Sequence, residues 1–415
     1  MGVAKQMGFF ESNKKSILIS LTLLLLLGAF VGGFYIARAG YSFDVKAFSF
    51  VHQNQENAPQ DVNWQILWDA MEVINEKYVD GPIDQQELLY GAVSGLVASL
   101  GDPYSVFLTP QKSEQFQEDL RGEFSGIGAE IGIRNNQLLV VAPLEGSPAE
   151  AAGLRAKDAI LAIDGESAAD FSLDEAVNKI RGPQGSSVEI TVIGENDNEP
   201  HTVSITRDTI IVKSLESEIR EIEGNKIGII TLRRFGEDTQ GLLDSAVTDL
   251  LQQNVSGIVL DMRNNPGGYI TSAIDIASFW VQDGQAVVIE EFGDGKINTY
   301  DASGAARLNE IPTVVVVNEG SASASEIVAG ALRDYGLAKL VGKQTFGKGS
   351  VQELINLPEG ADIKITIAKW LTPNGHNINV DGLPPDIEVE LTEDDVNNFL
   401  DPQLDKAIEE LVKDF

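Results

Sequence analysis

A leucine-rich run, 21–27, sits inside a segment, 16–37, that carries no charged residue. A helix of that length crosses a hydrocarbon core. Lys5, Lys14 and Lys15 precede it and predict a cytoplasmic tail (1–15), a transmembrane anchor (16–37) and everything after Arg38 outside the cytoplasm. Ala37-Arg38-Ala39-Gly40 also resembles the cleavage site of a signal peptide, but the apolar run is longer than a typical signal core and favours an uncleaved anchor. A polar linker (38–62) follows. Trp64, Leu67, Trp68, Met71, Ile74 and Tyr78 then recur on one helical face. A second helix is expected from Asp84, as N-cap, to Leu100, stopped by Gly101-Asp102-Pro103. Together they make a helical N-terminal module (63–118). From 125 to 207 the period shortens: strands are expected at 129–133, 137–141, 159–163, 188–193 and 202–205, with short helices at 148–152 and 172–179. From 226 onward strands (226–232, 257–262, 313–317) alternate with helices (238–252, 270–280, 325–335). Such alternation predicts an α/β layer with parallel strands. Asp401-Pro402 opens an amphipathic helix through Leu404, Ile408, Leu411, Val412 and Phe415 (400–415).

Composition narrows the chemistry. With 415 residues the chain has room for two to four modules. A net charge of −33, from 63 acidic and 30 basic residues, argues against nucleic acid or an anionic membrane surface as the main partner. The absence of cysteine removes disulfides, thiolate catalysis and cysteine-based zinc sites. Three histidines, His52, His201 and His376, are too few for a histidine-rich metal cluster. No cofactor is called for.

Two stretches carry reactive residue types. Thr313 to Val317 runs through Asn318-Glu319-Gly320 into Ser321-Ala322-Ser323-Ala324-Ser325-Glu326, where a helix begins. A buried strand, a glycine turn and a helix starting on serine present a hydroxyl beside the free N–H groups of a helix N-terminus. Ser323 and Glu326 also form a Ser-x-x-Glu capping box, which alone accounts for a serine there; the three alternating serines leave the nucleophile's identity open. Downstream, Thr345-Phe346-Gly347-Lys348-Gly349-Ser350-Val351-Gln352 places a lysine among uncharged neighbours. A general-base lysine must lose about three pKa units, roughly 4 kcal/mol of desolvation, which burial without a carboxylate supplies. In an extended segment Lys348, Ser350 and Gln352 share a face, so Gln352 is placed to orient the amine; the plain alternative is an exposed loop lysine. A third stretch, Gly257 to Asp261 followed by Met262-Arg263-Asn264-Asn265-Pro266-Gly267-Gly268, repeats the strand-into-glycine-turn pattern and would face the same crevice. Asp261 and Arg263 fit a scaffold pair. A Ser-His-Asp triad would have to use His376, a lone loop histidine. Phe124-Ser125-Gly126-Ile127-Gly128-Ala129 precedes a strand rather than a helix; it fails as a nucleotide fingerprint but suits capture of a peptide carboxylate.

Together these words resemble the C-terminal processing proteases, the tail-specific serine peptidases, over nearly all of the chain after the anchor. The matching words are Ser99-Leu100-Gly101-Asp102-Pro103-Tyr104-Ser105, Gly146-Ser147-Pro148-Ala149, Ala152-Gly153-Leu154, Ile180-Arg181-Gly182-Pro183 and the three stretches above. The resemblance implies a PDZ domain (122–210) inserted ahead of an α/β serine protease core (211–395), and a Ser–Lys dyad of Ser323 and Lys348 supported by Gln352. It also implies an oxyanion hole from the backbone of Gly268 and Ala324, and peptide capture by Gly126, Ile127, Gly128 and Ala129. Lys157, where the family prefers glycine, and Met262, for a usual leucine, are small departures. The implied partners are unfolded or tail-exposed extracytoplasmic proteins, the membrane through the N-terminal helix, and a homo-oligomer or adaptor. The alternative is a membrane-tethered, catalytically silent PDZ scaffold.

Overall fold

The computed structural model describes residue 31 and residues 41–44, 49–52, 62–81, 83–134, 137–144, 146–194, 197–379 and 381–413. The anchor segment therefore lies outside the described residues save Val31, as does Phe415; among the described residues no helix is long and apolar enough to cross a membrane. The chain divides into two compact units, 1–88 and 89–415, with the boundary inside the second helix.

In the first unit, helix α1 spans Gln65–Lys77, with Trp64 as N-cap and Tyr78 as C-cap, and α2 begins at Gln85 (Gln85–Ala98). The expected apolar face of α1 is present, but it is not core: Trp64, Trp68 and Tyr78 are 44%, 59% and 51% exposed, and α1 holds no buried residue.

The second unit continues with strand β1 (Val106–Leu108) and α3 (Pro110–Arg121), whose N-cap Thr109 and N-terminal proline fix its start. Next come β2 (Glu123–Gly126), β3 (Ala129–Arg134), β4 (Gln137–Pro143), α4 (Pro148–Ala151), β5 (Ala159–Ile163), α5 (Leu173–Ile180), β6 (Ser187–Ile193), β7 (His201–Thr206) and β8 (Asp208–Ile211). Strands β7-β6-β5-β4-β3 form one antiparallel sheet, in which β3 and β7 are the outer strands, while β8 pairs with β2. Its core gathers Val140, Ile160, Ile163, Ala176, Val188, Ile190 and Val192. Lys157 adopts φ +72°, the left-handed region where glycine is favoured, which explains why that residue type is usual there.

A larger α/β layer follows: β9 (Leu215–Ile222), β10 (Asn225–Leu232), α6 (Thr239–Gln252), β11 (Gly257–Asp261), α7 (Ile270–Ala277), β12 (Ala286–Phe292), β13 (Ile297–Asp301), β14 (Thr313–Val317), α8 (Ala324–Asp334), β15 (Ala338–Gly342), β16 (Ser350–Asn356), β17 (Asp362–Leu371), β18 (Ile387–Glu388) and α9 (Pro402–Val412). The main sheet runs β9-β10-β11-β14-β15-β18, antiparallel only at the β9–β10 pair. Strands β11 and β14 are buried at every position, as expected for parallel strands covered on both faces. On one face lies a core with Leu243, Val247, Ile276, Trp280, Val328 and Leu332; on the other, Val259, Val314, Val316 and Val341 meet Leu404, Ala407, Ile408 and Leu411 of α9. A second sheet, β13-β12-β17-β16 with β1 against β17, was not expected from the sequence.

Candidate active site

Parallel pairing brings three loops to one edge. Strands β11, β14 and β15 are neighbours in register, Asp261 opposite Val316 and Val317 opposite Gly342. The turns leaving their carboxyl ends (262–268, 318–323 and 343–349) are therefore adjacent, where α/β layers place their sites. Hydrogen bonds tie the first two turns: the Asn264 N–H donates to Asn318 Oδ1 (2.8 Å), the Asn318 amide to Asn264 Oδ1 (2.9 Å), and the Ala322 N–H to the Asn265 carbonyl (3.0 Å). The third turn joins through Lys343 N–H to Val317 O (2.9 Å) and Phe346 N–H to Ser321 O (3.0 Å).

The three serines now separate. Ser321 and Ser325 are fully buried; Ser321 Oγ donates to the Met262 carbonyl (2.8 Å) and accepts from the Asn318 N–H (3.0 Å), and Ser325 Oγ donates to the Asn265 carbonyl (2.9 Å). Both hydroxyls lock one turn to the other. Ser323, half-buried, sits at the N-cap of α8 with φ +55° and ψ −114°. A non-glycine residue in that region costs of order 1–3 kcal/mol and recurs where a side chain is being presented. Gly267 makes the fit possible: at φ +102°, a Cβ on it would lie 2.9 Å from both Ala322 O and Ser323 Cβ. Among the described residues the N–H groups of Gly268 and Ala324 have no hydrogen-bond partner.

Glu326 joins the serine to the lysine, a link the sequence did not disclose. Its buried carboxylate accepts from the Ser323 N–H (2.8 Å) and the Lys348 N–H (3.0 Å) on one oxygen, and from the Gly347 N–H (2.8 Å) and Thr345 hydroxyl (2.6 Å) on the other. The two main chains thus share a single acceptor atom. Burial pushes the Glu326 carboxyl up from its ordinary value, against the pull of the Thr345 hydroxyl and the three amides. The Ser-x-x-Glu spacing signalled only the local half of this arrangement.

Lys348 is half-buried and has no ion-pair partner among the described residues; its Nζ lies 5.5 Å from the Tyr104 ring centre. Burial lowers its pKa from the ordinary lysine value, the cation of Lys364 lowers it further, and Glu326 and Asp102 only partly oppose this. Its carbonyl is fixed by the indole of buried Trp370 (3.0 Å). Gln352 stands differently from expectation. Its amide donates to Ser350 Oγ (2.8 Å), Ser350 O (3.1 Å) and Thr366 Oγ1 (3.3 Å), and no hydrogen bond joins it to Lys348 among the described residues. Strand β16 begins at Ser350, so the alternation that keeps Ser350 and Gln352 together does not extend back to Lys348.

Arg263 is a scaffold residue, as one sequence alternative held: Nη2 meets Asp261 Oδ2 at 2.6 Å and Asp401 Oδ2 at 2.8 Å. His376 is exposed in the turn closed by Thr372 N–H to His376 O (3.0 Å). In the antiparallel domain, buried Gly126 ends β2, and Ile127 and Gly128 form a buried turn leading to Ala129. The Ile127 and Gly128 carbonyls accept from Ala149 (2.8 Å) and Leu144 (2.9 Å), whereas the N–H groups of these two residues have no partner among the described residues.

A strained serine at a helix N-terminus, close to a glycine turn and joined through Glu326 to the main chain of a half-buried lysine, defines the class of the protein as a serine-type hydrolase on an α/β layer. The sequence matches Peptidase family S41 over residues 226–389, a PDZ domain over 139–194 and the Activating protease CtpB N-terminal domain over 25–111. It is 40% identical over 335 residues to a carboxyl-terminal-processing protease of Picosynechococcus, covering 80% of each chain. It is 38% identical over 349 residues to a probable CtpA-like serine protease of Staphylococcus aureus, covering 83% of this chain and 69% of that one. Among solved structures, a photosystem II D1 C-terminal processing protease is similar at 29% identity and a TM-score of 0.51, over 79% of this chain and 94% of the other. The chain belongs to the carboxyl-terminal-processing proteases of peptidase family S41. It is a serine-type peptidase with a PDZ domain.

Proposed function

We propose that the protein is an endopeptidase that captures the C-terminal tails of extracytoplasmic proteins with its PDZ domain and cleaves them with Ser323 and Lys348. The observation that carries this is the split among the serines: Ser321 and Ser325 are bound into the scaffold, while Ser323 is held at φ +55° and shares the Glu326 carboxylate with the Lys348 main chain. Ser323 Oγ attacks the scissile carbonyl carbon as its proton passes to the neutral Nζ of Lys348. The N–H groups of Gly268 and Ala324 stabilise the oxyanion. The intermediate collapses, the C–N bond breaks, and Lys348 returns the proton to the leaving amine. Water, deprotonated by the same amine, then attacks the acyl carbon; the ester bond to Ser323 Oγ breaks and Lys348 returns the proton to that oxygen. Gln352 supports Lys348 indirectly, by tying Ser350, at the start of β16, to Thr366 of β17. In the PDZ domain the free N–H groups of Ile127 and Gly128 receive the tail carboxylate, and the peptide adds to the outer edge of β3. Segment 16–37 anchors the enzyme with its catalytic part outside the cytoplasmic membrane.

Ser323→Ala is expected to fold, by its melting curve, and to be inert on an unstructured protein, and normal turnover would sink the assignment. Calorimetry with one peptide bearing a free or an amidated C-terminus tests the PDZ role; equal binding would overturn it. Recovery of a soluble product lacking 16–37 on fractionation would remove the anchor and leave the chemistry standing.

A further inference from the structure

The turn that carries Gly268 leads into a cavity that the chemistry above does not use. The Phe235 N–H donates to the Gly267 carbonyl (2.9 Å) and the Tyr269 N–H to the Phe235 carbonyl (2.9 Å), so Phe235 and Gly268 lie side by side as a parallel bridge. Beyond that bridge, residues of both segments line a cavity of about 280 Å³. Glu237 and Gln240 come from the loop and first turn of α6; Tyr269, Thr271, Ser272 and Asp275 come from the N-terminal half of α7. At 1.5 Å of rise per residue, the stretch from Tyr269 to Asp275 covers only about 9 Å. The cavity therefore starts beside the oxyanion glycine and stays near it. Its volume suits one side chain rather than a whole ligand.

The polar side chains that line it are unoccupied. Among the described residues the Glu237 and Asp275 carboxylates, the Tyr269 and Thr271 hydroxyls and the Gln240 amide make no hydrogen bond or ion pair. Ser272 is 6% exposed, and its buried hydroxyl also has no partner, a cost that folded proteins usually avoid. Ser278, later along the chain, avoids it by donating back to the Ile274 carbonyl (2.7 Å). Asp275 is half-buried, and burial pushes its carboxyl up with no cation to offset it. The cations of the adjoining segments are already paired: Arg233 with Glu216 (3.2 Å) and Arg234 with Asp238 (3.1 Å). Arg121, whose carbonyl accepts from Arg234 (2.8 Å), is paired with Glu123 (3.3 Å). No third acidic residue or histidine completes a metal site here among the described residues.

We propose that this cavity is a substrate subsite that takes a lysine or arginine side chain from a residue close to the scissile bond. Carboxylates and hydroxyls offer acceptors, which is what an ammonium or guanidinium, a donor only, requires. A cation entering there meets Glu237 and Asp275 without displacing an existing pair. The carbonyl under attack lies against the Gly268 N–H, so the side chain of a neighbouring substrate residue enters along Tyr269. Selectivity follows because an apolar side chain in the same place leaves the buried acceptors unpaired. This rests on Ser323 as the nucleophile and Gly268 as an oxyanion donor, and adds a preference separate from capture of the tail by the PDZ domain.

The test measures kcat/KM of the full-length enzyme on quenched fluorescent peptides that share one C-terminus. Lysine or norleucine is stepped through the positions on either side of the scissile bond. At one position lysine is expected to exceed norleucine by about fivefold or more. In the double variant Glu237→Gln, Asp275→Asn that ratio should fall toward one; being a ratio within one enzyme, it does not depend on the folded fraction. No position that prefers lysine, or a preference that survives in the double variant, overturns the proposal. Should the double variant not fold, Glu237→Lys, a change at an exposed residue, carries the test: a lysine preference that stays at the wild-type value overturns it. Ser323→Ala separates the two levels. Turnover retained there removes the nucleophile, whereas an inert Ser323→Ala beside a wild-type enzyme indifferent to lysine removes only the subsite.

Discussion

At the scale of single residues, chemistry follows from which polar groups are already occupied. In the residue pattern Ser323 stands apart from Ser321 and Ser325 only by its spacing to Glu326, which a helix cap alone explains, whereas the bonds of the other two to Met262 and Asn265 separate all three by role. Ser321→Ala leaves a buried carbonyl and amide without their partner, so a loss of about 1–3 kcal/mol is expected in the melting curve, with turnover surviving in the folded fraction. Lys348 is governed by burial. A lysine whose pKa is lowered is neutral over a wider pH range, so kcat/KM should rise with pH along a limb placed below the ordinary lysine value. Lys348→Arg keeps the charge but has no neutral form to offer, and should be inert at every pH; an active Lys348→Arg enzyme would point to another base. The sequence made Ser323 and Lys348 legible as residue types in unusual surroundings. It did not make Glu326 legible as their common acceptor, because that bond spans residues 326 and 348 and depends on how β14 and β15 pair.

At the scale of elements, the strands and helices whose ends carry the site were readable. Continuous apolar runs such as Thr313–Val317, bounded by glycine turns, have one physical solution as buried parallel strands. The second sheet was less visible. In β17, Ile363, Ile365 and Ile367 alternate with Lys364 and Thr366, a two-residue period that marks a strand, but it is flanked by no helix to frame it. The start of β16 leaves no such mark: Lys348 lies ahead of Ser350, the first strand residue, so the face expected to join Lys348 to Gln352 is not continuous. Turn geometry gives the element-scale prediction. Gly267→Ala puts a methyl 2.9 Å from Ala322 O and Ser323 Cβ, displacing the serine turn from the Gly268 N–H. Activity should fall by about 100-fold or more, the cost of a lost oxyanion donor. Gly304→Ala, also at positive φ (+114°) but with open space around it, should lose stability and keep activity. Equal activity in the two variants would show that strain alone, not the approach to Ser323, matters at Gly267.

At the scale of the whole molecule, the last helix of the chain stabilises the turn that faces the serine. Helix α9 covers the sheet face made by Val259, Val314, Val316 and Val341, and its N-cap Asp401 grips Arg263 across 138 residues (Nη1 to Oδ1, 2.8 Å). Burial alone would raise the Asp401 carboxyl, but the hydrogen bonds from Arg263 and the Leu404 N–H outweigh it and hold it below its ordinary value. A carboxylate depressed in the fold contributes stability above its unfolded pKa and loses it as pH falls through the folded one. Asp401→Asn should therefore lower stability at neutral and alkaline pH by an amount that vanishes at acid pH, which flattens the acid limb of the profile. The apolar contribution is separable. Leu404 and Leu411 are 8% and 1% exposed against the sheet, so Leu411→Ala is expected to cost about 2–5 kcal/mol at all pH values. If α9 acts on the site through Arg263, Asp401→Asn should also lower kcat at neutral pH, whereas Leu411→Ala should change kcat little per folded molecule. An Asp401→Asn enzyme with unchanged kcat and a shifted melting curve alone would confine the C-terminal helix to holding the fold.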